Sequence, residues 1–386
     1  MNSKFVTLEL GIKKNKTDGL LIQLPSESNT AIITTKNKFA AAPVKISKEN
    51  IKTGSIKYIF VNSGNANACT GRKGYQNTKR ILSSLSKKLL CSSDEILIMS
   101  TGIIGRQLPI NKITHSISSH DFDNYCSLKS AASAIMTTDK YPKYLTKSYM
   151  IGRKKIRFRG LCKGAGMIEP NMATMLSFIE TDVSLSKSFI NKALKYCSNL
   201  SFNSISVDGD MSTNDTVVFA STGNVSFDIN NKNLETKFLA CASDFFIQLS
   251  SMIVKDGEGA TKFIKLKINN SRSIGLAQKI ARKISNSLLV KTAMYGSDPN
   301  WGRIVASIGS VDSKDIRPNK ISLKINNILC FKNGSAIDNG TAKLKKSMTK
   351  NAIEISIDLN NGKFDQVIYF SDLSHDYVNI NSEYTS

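Results

Sequence analysis

The sequence is poor in the residues on which several common catalytic sites depend. It has only three histidines, His115, His120 and His375, each with ordinary polar neighbours, so a catalytic triad that uses histidine is a poor prediction. The seven cysteines are odd in number, and no two are closer than 22 positions. Because zinc sites need ligand pairs about two to four residues apart, neither a zinc cluster nor a disulfide framework is indicated.

Several longer patterns are missing as well. The chain has no Walker phosphate loop, no dinucleotide-binding glycine fingerprint after a strand and no HExxH zinc helix. No continuous run of apolar residues approaches the roughly 18 that a membrane span needs, and the first residues lack the apolar core of a signal peptide. We therefore expect a cytoplasmic protein that makes no membrane contact.

The segment VDGDMSTNDT, residues 207–216, has three acidic residues and at first sight resembles a calcium loop. With Asp208 at the first position, the sixth falls on Thr213, where glycine is required, and the twelfth on Phe219, where glutamate is required. We interpret this segment as a polar turn that packs against a site.

The formal net charge is +23, and clustered basic residues can neutralise the phosphates of nucleic acids. Here the lysines are spread along the whole chain and no recognition motif accompanies them. The densest basic segment, residues 153–159, alternates with Ile156 and Phe158, which predicts a strand with a basic outer face. Nucleic acid is not a predicted partner.

Strands and helices alternate along the 386 residues, of which 41% are hydrophobic. This alternation predicts an α/β protein with layered sheets and helices. Apolar and β-branched runs predict strands at 58–62, 95–100, 156–161, 174–180, 216–221, 262–268, 302–309 and 321–327. Helical spacing predicts helices at 77–91, 185–199, 233–254 and 273–292.

One turn-rich segment, KGAGMIEPNMATMLSFIETD, leads into an apolar run that opens with Thr174. The hydroxyl of an ordinary threonine is unreactive near neutral pH, but an N-terminal threonine has an α-amine, with a pKa near 8, that can take the hydroxyl proton. Glycines and Pro170 before Thr174 would give the tight turn that an N-to-O acyl shift and cleavage require. On composition alone, an ordinary loop before a buried strand explains the segment as well.

Eight motifs taken together resemble the ornithine acetyltransferase family, the glutamate N-acetyltransferases of arginine biosynthesis. They occur in the family's order and cover nearly the whole chain. They are NSGNANACTG (62–71), STGIIGRQLPI (100–110), TTDKYPK (137–143), the segment 163–182, VDGDMSTNDT (207–216), VKDGEGATKF (254–263), GSDPNWGRI (296–304) and HDYVNINSEYTS (375–386).

The resemblance implies a layered αββα sandwich with a smaller C-terminal α/β portion. It also implies self-cleavage between Ala173 and Thr174, which would give an α chain of residues 1–173 and a β chain of residues 174–386. In this family the two chains assemble, and the expected form is α2β2.

The same resemblance assigns the site. Thr174 would be the nucleophile, and Thr101 with Gly102 would form the oxyanion hole. Residues that would contact substrate are Thr137, Lys163, Thr174, Glu258, Asn381 and Ser386. Lys163 suits the α-carboxylate that acetylornithine and glutamate share, and Glu258 suits the ornithine ammonium.

The implied reaction is a ping-pong acetyl transfer from N2-acetyl-L-ornithine to L-glutamate through an acetyl ester on Thr174, with no metal or other cofactor. Family members differ in whether acetyl-CoA also serves as acetyl donor, and no motif in this chain distinguishes the two. Two alternatives stay open: a hydrolase of the amidohydrolase or aminopeptidase kind that uses the same N-terminal threonine, and a basic nucleic-acid-binding protein that is not an enzyme.

Overall fold

The computed structural model describes residues 2–53, 55–169, 175–226, 231–337 and 341–383. These residues form two compact units. Unit 1 comprises the chain up to Asn203 together with Asp210–Ile253, and unit 2 comprises Ser204–Gly209 together with the chain from Val254 onward.

Unit 1 contains two β-sheets among its described residues. The four-stranded sheet has the order β1-β2-β4-β5, and the five-stranded sheet has the order β3-β10-β8-β7-β6. The strands are β1 (Lys4–Leu8), β2 (Gly19–Gln23), β3 (Asn29–Thr34), β4 (Tyr58–Asn65), β5 (Ile96–Ile103), β6 (Lys143–Ile151), β7 (Lys154–Lys163), β8 (Leu176–Val183) and β10 (Thr216–Val225). The helices are α1 (Ala42–Thr53), α2 (Gly71–Leu89), α3 (Ile110–Ser119), α4 (Leu128–Ala134), α5 (Lys187–Leu200) and most of α6 (Lys232–Lys255).

The two sheets of unit 1 pack face to face. Alternate residues of β4 point to opposite sides: Ile59 and Val61 join the core between the sheets, and Phe60 joins the core beneath α2 and α3. On the outer side of the second sheet, the ring of Phe158 in β7 lies against the α6 ring of Phe245. The layer order is therefore helix, sheet, sheet, helix, as the family resemblance implies.

Helix α6 is long and apolar enough to cross a membrane by length and composition alone, with a mean hydropathy of 1.3 in its most apolar window. More than half of that window is buried within the protein. Its side chains Phe238, Phe245 and Phe246 are fully buried. The hydropathy of α6 is thus that of a core helix, although no single apolar run in the sequence is long enough to suggest a span.

Unit 2 is built on one seven-stranded sheet with the order β14-β13-β12-β15-β11-β16-β9. Its strands are β9 (Ile205–Ser206), β11 (Phe263–Ser271), β12 (Ser322–Ile325), β13 (Ile328–Lys332), β14 (Ser335–Ala336), β15 (Ala352–Asp358) and β16 (Phe364–Ser371). Its helices are α7 (Ile274–Ser285), α8 (Leu288–Tyr295), α9 (Trp301–Gly309), α10 (Thr341–Ser347) and α11 (His375–Glu383). A single apolar core joins the sheet to α7, α8 and α9, and unit 2 matches the expected smaller C-terminal α/β portion.

Most predicted elements are confirmed, and two are wrong. The predicted strand at 302–309 is the helix α9, whose Ile304 and Ile308 are buried four residues apart on one helical face. The predicted helix at 273–292 is two helices, because Ser287 begins a new one by accepting a hydrogen bond from the N–H of Val290. The predicted strand at 174–180 corresponds to β8, which begins at Leu176; Thr174 lies outside the described residues.

The ring of Phe158 is central to the aromatic core of unit 1. Its centroid lies 5.5 Å from that of Phe245, 5.7 Å from Phe238 and 6.4 Å from Phe219. We expect Phe158→Ala to lower the free energy of unfolding by about 3–5 kcal/mol, because it leaves a cavity that these rings cannot fill. Urea denaturation followed by circular dichroism measures the loss.

Phe39→Ala is the control for this prediction, since Phe39 is 72% exposed and its truncation should change the stability by less than about 0.5 kcal/mol. Equal losses from the two variants would contradict a core role for Phe158.

Candidate functional site

The first part of the site lies at the carboxyl end of β5, where Thr101 and Gly102 pair with Ser63 and Gly64 of the parallel strand β4. Gly102 has a φ of +129°, and a Cβ there would lie 2.3 Å from the carbonyl carbon of Gly64. No other residue type fits this approach of two backbones. Gly102 is thus required next to the buried Thr101. This agrees with a backbone whose shape presents the Thr101 hydroxyl and the Gly102 N–H as polar groups.

Asn214 holds this end of the sheet in place. Its side-chain amide donates hydrogen bonds to the backbone oxygens of Ala66, at 2.6 Å, and Ser100, at 2.8 Å. Thr101, Gly102 and Asn214 line a small cavity together with Ala66, Ile104, Met167, Ser212 and Thr213. The polar turn at 207–216 therefore does pack against the site, through its segment 212–214.

A buried ionic cluster forms the second part of the site. Its carboxylate is Asp139, which accepts hydrogen bonds at 2.6 Å from the ammonium of Lys143, at 2.7 Å from the N–H of Gly164 and at 2.8 Å from the N–H of Thr137. The side chains of Asp139 and Lys143 are both fully buried. Burial by itself would raise the pKa of Asp139, but the charges of Lys163 and Lys143 and these hydrogen bonds hold it well below its usual range.

Lys163 joins the two parts. It is the last residue of β7 and is only 2% exposed. Its ammonium donates a hydrogen bond of 3.1 Å to the hydroxyl oxygen of Thr101. The charge of Lys163 also lowers the pKa of Asp139, so this cation interacts with both the buried carboxylate and the hydroxyl of Thr101.

Lys13 extends the positive charge of this region. Its ammonium donates to the hydroxyl of Ser63, at 2.7 Å, and to the backbone oxygen of Met136, at 2.6 Å. Burial, reinforced by the charge of Lys163, lowers the pKa of Lys13 to about 8. Lys13 therefore gives up its proton more readily than an exposed lysine, and this residue was not identified from the sequence.

Two further predicted residues lie together in unit 2. Glu258 is 7% exposed, and its carboxylate accepts a hydrogen bond of 2.9 Å from the side-chain amide of Asn381 in α11. The loop and the helix are in direct contact, because a Cβ on Gly259 would lie 2.4 Å from the backbone nitrogen of Tyr377. The pairing gives Asn381 a fixed orientation relative to Glu258.

The predicted residues thus fall into two groups. Thr101, Gly102, Thr137 and Lys163 meet in unit 1, and Glu258 and Asn381 meet in unit 2. The predicted nucleophile Thr174, its neighbour Ala173 and the terminal Ser386 lie outside the described residues. Sequence reasoning missed Lys13, Asp139, Lys143 and Asn214, of which only Lys13 lies outside the eight quoted motifs.

We expect Asp139→Asn to lower the free energy of unfolding by about 3–5 kcal/mol near pH 7, because it removes the negative charge that pairs with the buried ammonium of Lys143. The folded-state pKa of Asp139 lies below its unfolded value, so its stabilisation is complete above about pH 5 and is lost as the pH falls. The difference in stability between wild type and variant should therefore shrink below about pH 4, by roughly 1.4 kcal/mol per pH unit. Urea denaturation at a series of pH values measures it.

Asp244→Asn is the matched control, because Asp244 forms an exposed ion pair with Lys147. The side chains of Asp244 and Lys147 are 49% and 38% accessible. This substitution should cost less than about 1 kcal/mol. A loss for Asp139→Asn that is no larger, or that does not change down to pH 3, would refute the buried-cluster account.

The chain is similar to known proteins over nearly its whole length. The model of the ArgJ family matches residues 4–386. The arginine biosynthesis bifunctional protein ArgJ, mitochondrial, of Dictyostelium discoideum is 40% identical over 98% of this chain and 91% of its own length. The arginine biosynthesis bifunctional protein ArgJ of Geobacter sulfurreducens is 37% identical over 99% of this chain and 98% of its own length.

A solved structure is similar as well. The crystal structure of arginine biosynthesis bifunctional protein ArgJ from Bacillus halodurans matches with a TM-score of 0.52 and 33% identity, and the match covers 55% of this chain and all of that one. The family model spans residues 4–386, and these two relatives are 40% and 37% identical to the chain. The chain belongs to the ArgJ family.

Proposed function

We propose that this protein transfers the acetyl group of N2-acetyl-L-ornithine to L-glutamate, giving L-ornithine and N-acetyl-L-glutamate in arginine biosynthesis. The observation that carries the proposal is the contact between the Lys163 ammonium and the Thr101 hydroxyl. It brings a cation that suits a substrate α-carboxylate next to a polar group that suits the oxygen of a reacting carbonyl. Membership of the ArgJ family supports the same reaction.

The proposed chemistry proceeds in two steps. The hydroxyl oxygen of Thr174 attacks the acetyl carbonyl of acetylornithine, the α-amine of Thr174 takes the hydroxyl proton, and ornithine leaves with a proton on its nitrogen. The amine of glutamate then attacks the acetyl ester, and the Thr174 hydroxyl recovers its proton. Thr101 and Gly102 would stabilise the oxyanion in both steps, and donors of this kind each contribute about 10²–10³-fold in rate.

The proposed substrate contacts divide by charge. Lys163, with Thr137 beside the Asp139 carboxylate, would bind the α-carboxylate that both substrates share. Glu258, held by Asn381, would bind the side-chain ammonium of ornithine. Ser386 would add a hydroxyl contact to the substrate.

The nucleophile requires self-cleavage between Ala173 and Thr174, and the strand pairing supports two chains that stay together afterwards. β7 and β8 lie on either side of the cut in sequence and pair over residues 158–163 and 176–181. β3 and β10 also come from opposite sides and pair over six residues. These hydrogen bonds do not depend on the bond that is cut, so we propose that the α chain 1–173 and the β chain 174–386 remain one folded body and form an α2β2 assembly.

The word "bifunctional" in the names of the relatives favours a second activity, acetylation of glutamate from acetyl-CoA. We propose that acetyl-CoA acts as a co-substrate here and that no other cofactor is used. Several relatives are named mitochondrial and others are bacterial, so a cytoplasmic location stays a prediction.

Intact-mass measurement of the purified protein tests the nucleophile. We expect two polypeptides, the larger of which begins at Thr174. Thr174→Ala should give one uncut chain with no measurable transfer, whereas Thr174→Ser keeps a hydroxyl and should retain part of both activities. An uncut 386-residue chain that still transfers acetyl groups would rule out this mechanism.

Dependence on the acceptor distinguishes the transferase from a hydrolase that uses the same threonine. Ornithine release from N-acetylornithine should require glutamate, and N-acetylglutamate should form in equal amount. Ornithine release at the same rate without glutamate would favour the hydrolase. Parallel reactions with acetyl-CoA in place of N-acetylornithine, followed by the free thiol of CoA, measure the second activity.

A further inference from the structure

Asp215 is a buried acid that the proposed mechanism does not use. It is 0% exposed and immediately precedes β10. Its backbone is fixed on both sides, because the N–H of Thr35 donates to its carbonyl oxygen at 3.0 Å and the N–H of the following Thr216 donates to the carbonyl oxygen of Met175 at 3.1 Å. The side chain is therefore held in one place relative to the start of β8.

One carboxyl oxygen of Asp215 reaches the peptide of the proposed nucleophile. Oδ1 accepts a hydrogen bond of 2.9 Å from the N–H of Met175. The nitrogen of Met175 is bonded directly to the carbonyl carbon of Thr174, at about 1.3 Å. Bond lengths alone thus tie the Asp215 carboxyl to the backbone of Thr174.

The other carboxyl oxygen is buried and makes no hydrogen bond of regular geometry within the described part of the chain, although the hydroxyls of Thr35 and Ser212 lie near the carboxyl group. Burial raises the pKa of Asp215 well above its ordinary value, and the N–H of Met175, the charge of Lys163 and the nearby hydroxyls of Thr35 and Ser212 offset this only partly. An ionised oxygen without a donor is unfavourable in an interior, whereas a neutral carboxyl is tolerated there. The surroundings of Asp215 therefore favour the neutral acid.

We propose that Asp215 is a positioning residue for the nucleophile, whose buried carboxyl accepts from the N–H of Met175 and so holds the peptide that follows Thr174 for both self-cleavage and acetyl transfer. This inference rests on the proposed function, in which Thr174 performs both reactions. It assigns no proton transfer to Asp215. The effect arises because small errors in the position of a reacting group can cost about 10²-fold in rate.

The inference predicts different behaviour for two substitutions. Asp215→Ala removes the acceptor, so cleavage and kcat should each fall by about 10–100-fold, while KM stays within about two-fold. Asp215→Asn keeps an uncharged oxygen that can accept from the N–H of Met175, so both rates should stay within about three-fold of wild type. Intact mass over time gives the rate of cleavage, and kcat is divided by the cleaved fraction.

Asp182→Ala is the matched control. Asp182 lies near the other end of β8, about 23 Å along the strand from Met175, and its carboxylate accepts a comparable hydrogen bond of 2.8 Å from the N–H of Arg157. The control should lose a bond of the same kind while cleavage and kcat stay at wild-type values. If Asp215→Ala does not fold, Asp215→Ser, which is too short to hold Met175, takes its place.

Two results would overturn the inference: a folded Asp215→Ala or Asp215→Ser protein with the rates of the Asp182→Ala control, or an Asp215→Asn protein as impaired as Asp215→Ala. The second result would mean that the ionised carboxylate is needed. Thr174→Ala separates this inference from the function on which it rests. If Thr174→Ala is inactive and Asp215→Ala is not impaired, only the role of Asp215 fails; if Thr174→Ala still cuts and transfers, the proposed function fails.

Discussion

The geometry of the unit 1 site depends on the ion pair and hydrogen bonds that the buried carboxylate of Asp139 forms. An ammonium group is stable in a protein interior only when a counter-charge and hydrogen bonds replace its water. Asp139 supplies the charge for Lys143 by direct contact and lowers the cost of burying Lys163. Since the same carboxylate also accepts from the N–H groups of Thr137 and Gly164, it joins the segment 137–143 to the end of β7.

A second constraint is steric. The backbones at Gly64 and Gly102 approach so closely that a Cβ on Gly102 could not be accommodated between them. Asn214 bonds to backbone oxygens on both neighbouring segments and so keeps this approach in place. Together the glycine pair and the amide fix the shape of the end of β5 through contacts within the protein.

The strand order of unit 1 is compatible with the proposed cleavage. In the five-stranded sheet, β10 and β8 come from after residue 174 and lie between strands from before it, with β3 on one side and β7 and β6 on the other. Each strand is held by hydrogen bonds to its neighbours and by the apolar core between the sheets. A cut in the connection between β7 and β8 would therefore leave the packing that stabilises both chains intact.

Sequence alone determined the α/β class, most strands and helices, and the family, because alternation of apolar residues and eight ordered motifs are local properties. It misplaced 302–309, where isoleucines four residues apart fit a helix and a strand almost equally, and packing against the core of unit 2 decided between them. It also named Thr101, Gly102, Thr137 and Lys163, but gave no reason for Lys13, Asp139, Lys143 or Asp215. The role of a buried charged group depends on its partners, and only the tertiary structure brings residues as distant as 13, 139 and 163 to one place, where burial and mutual charge set their pKa values.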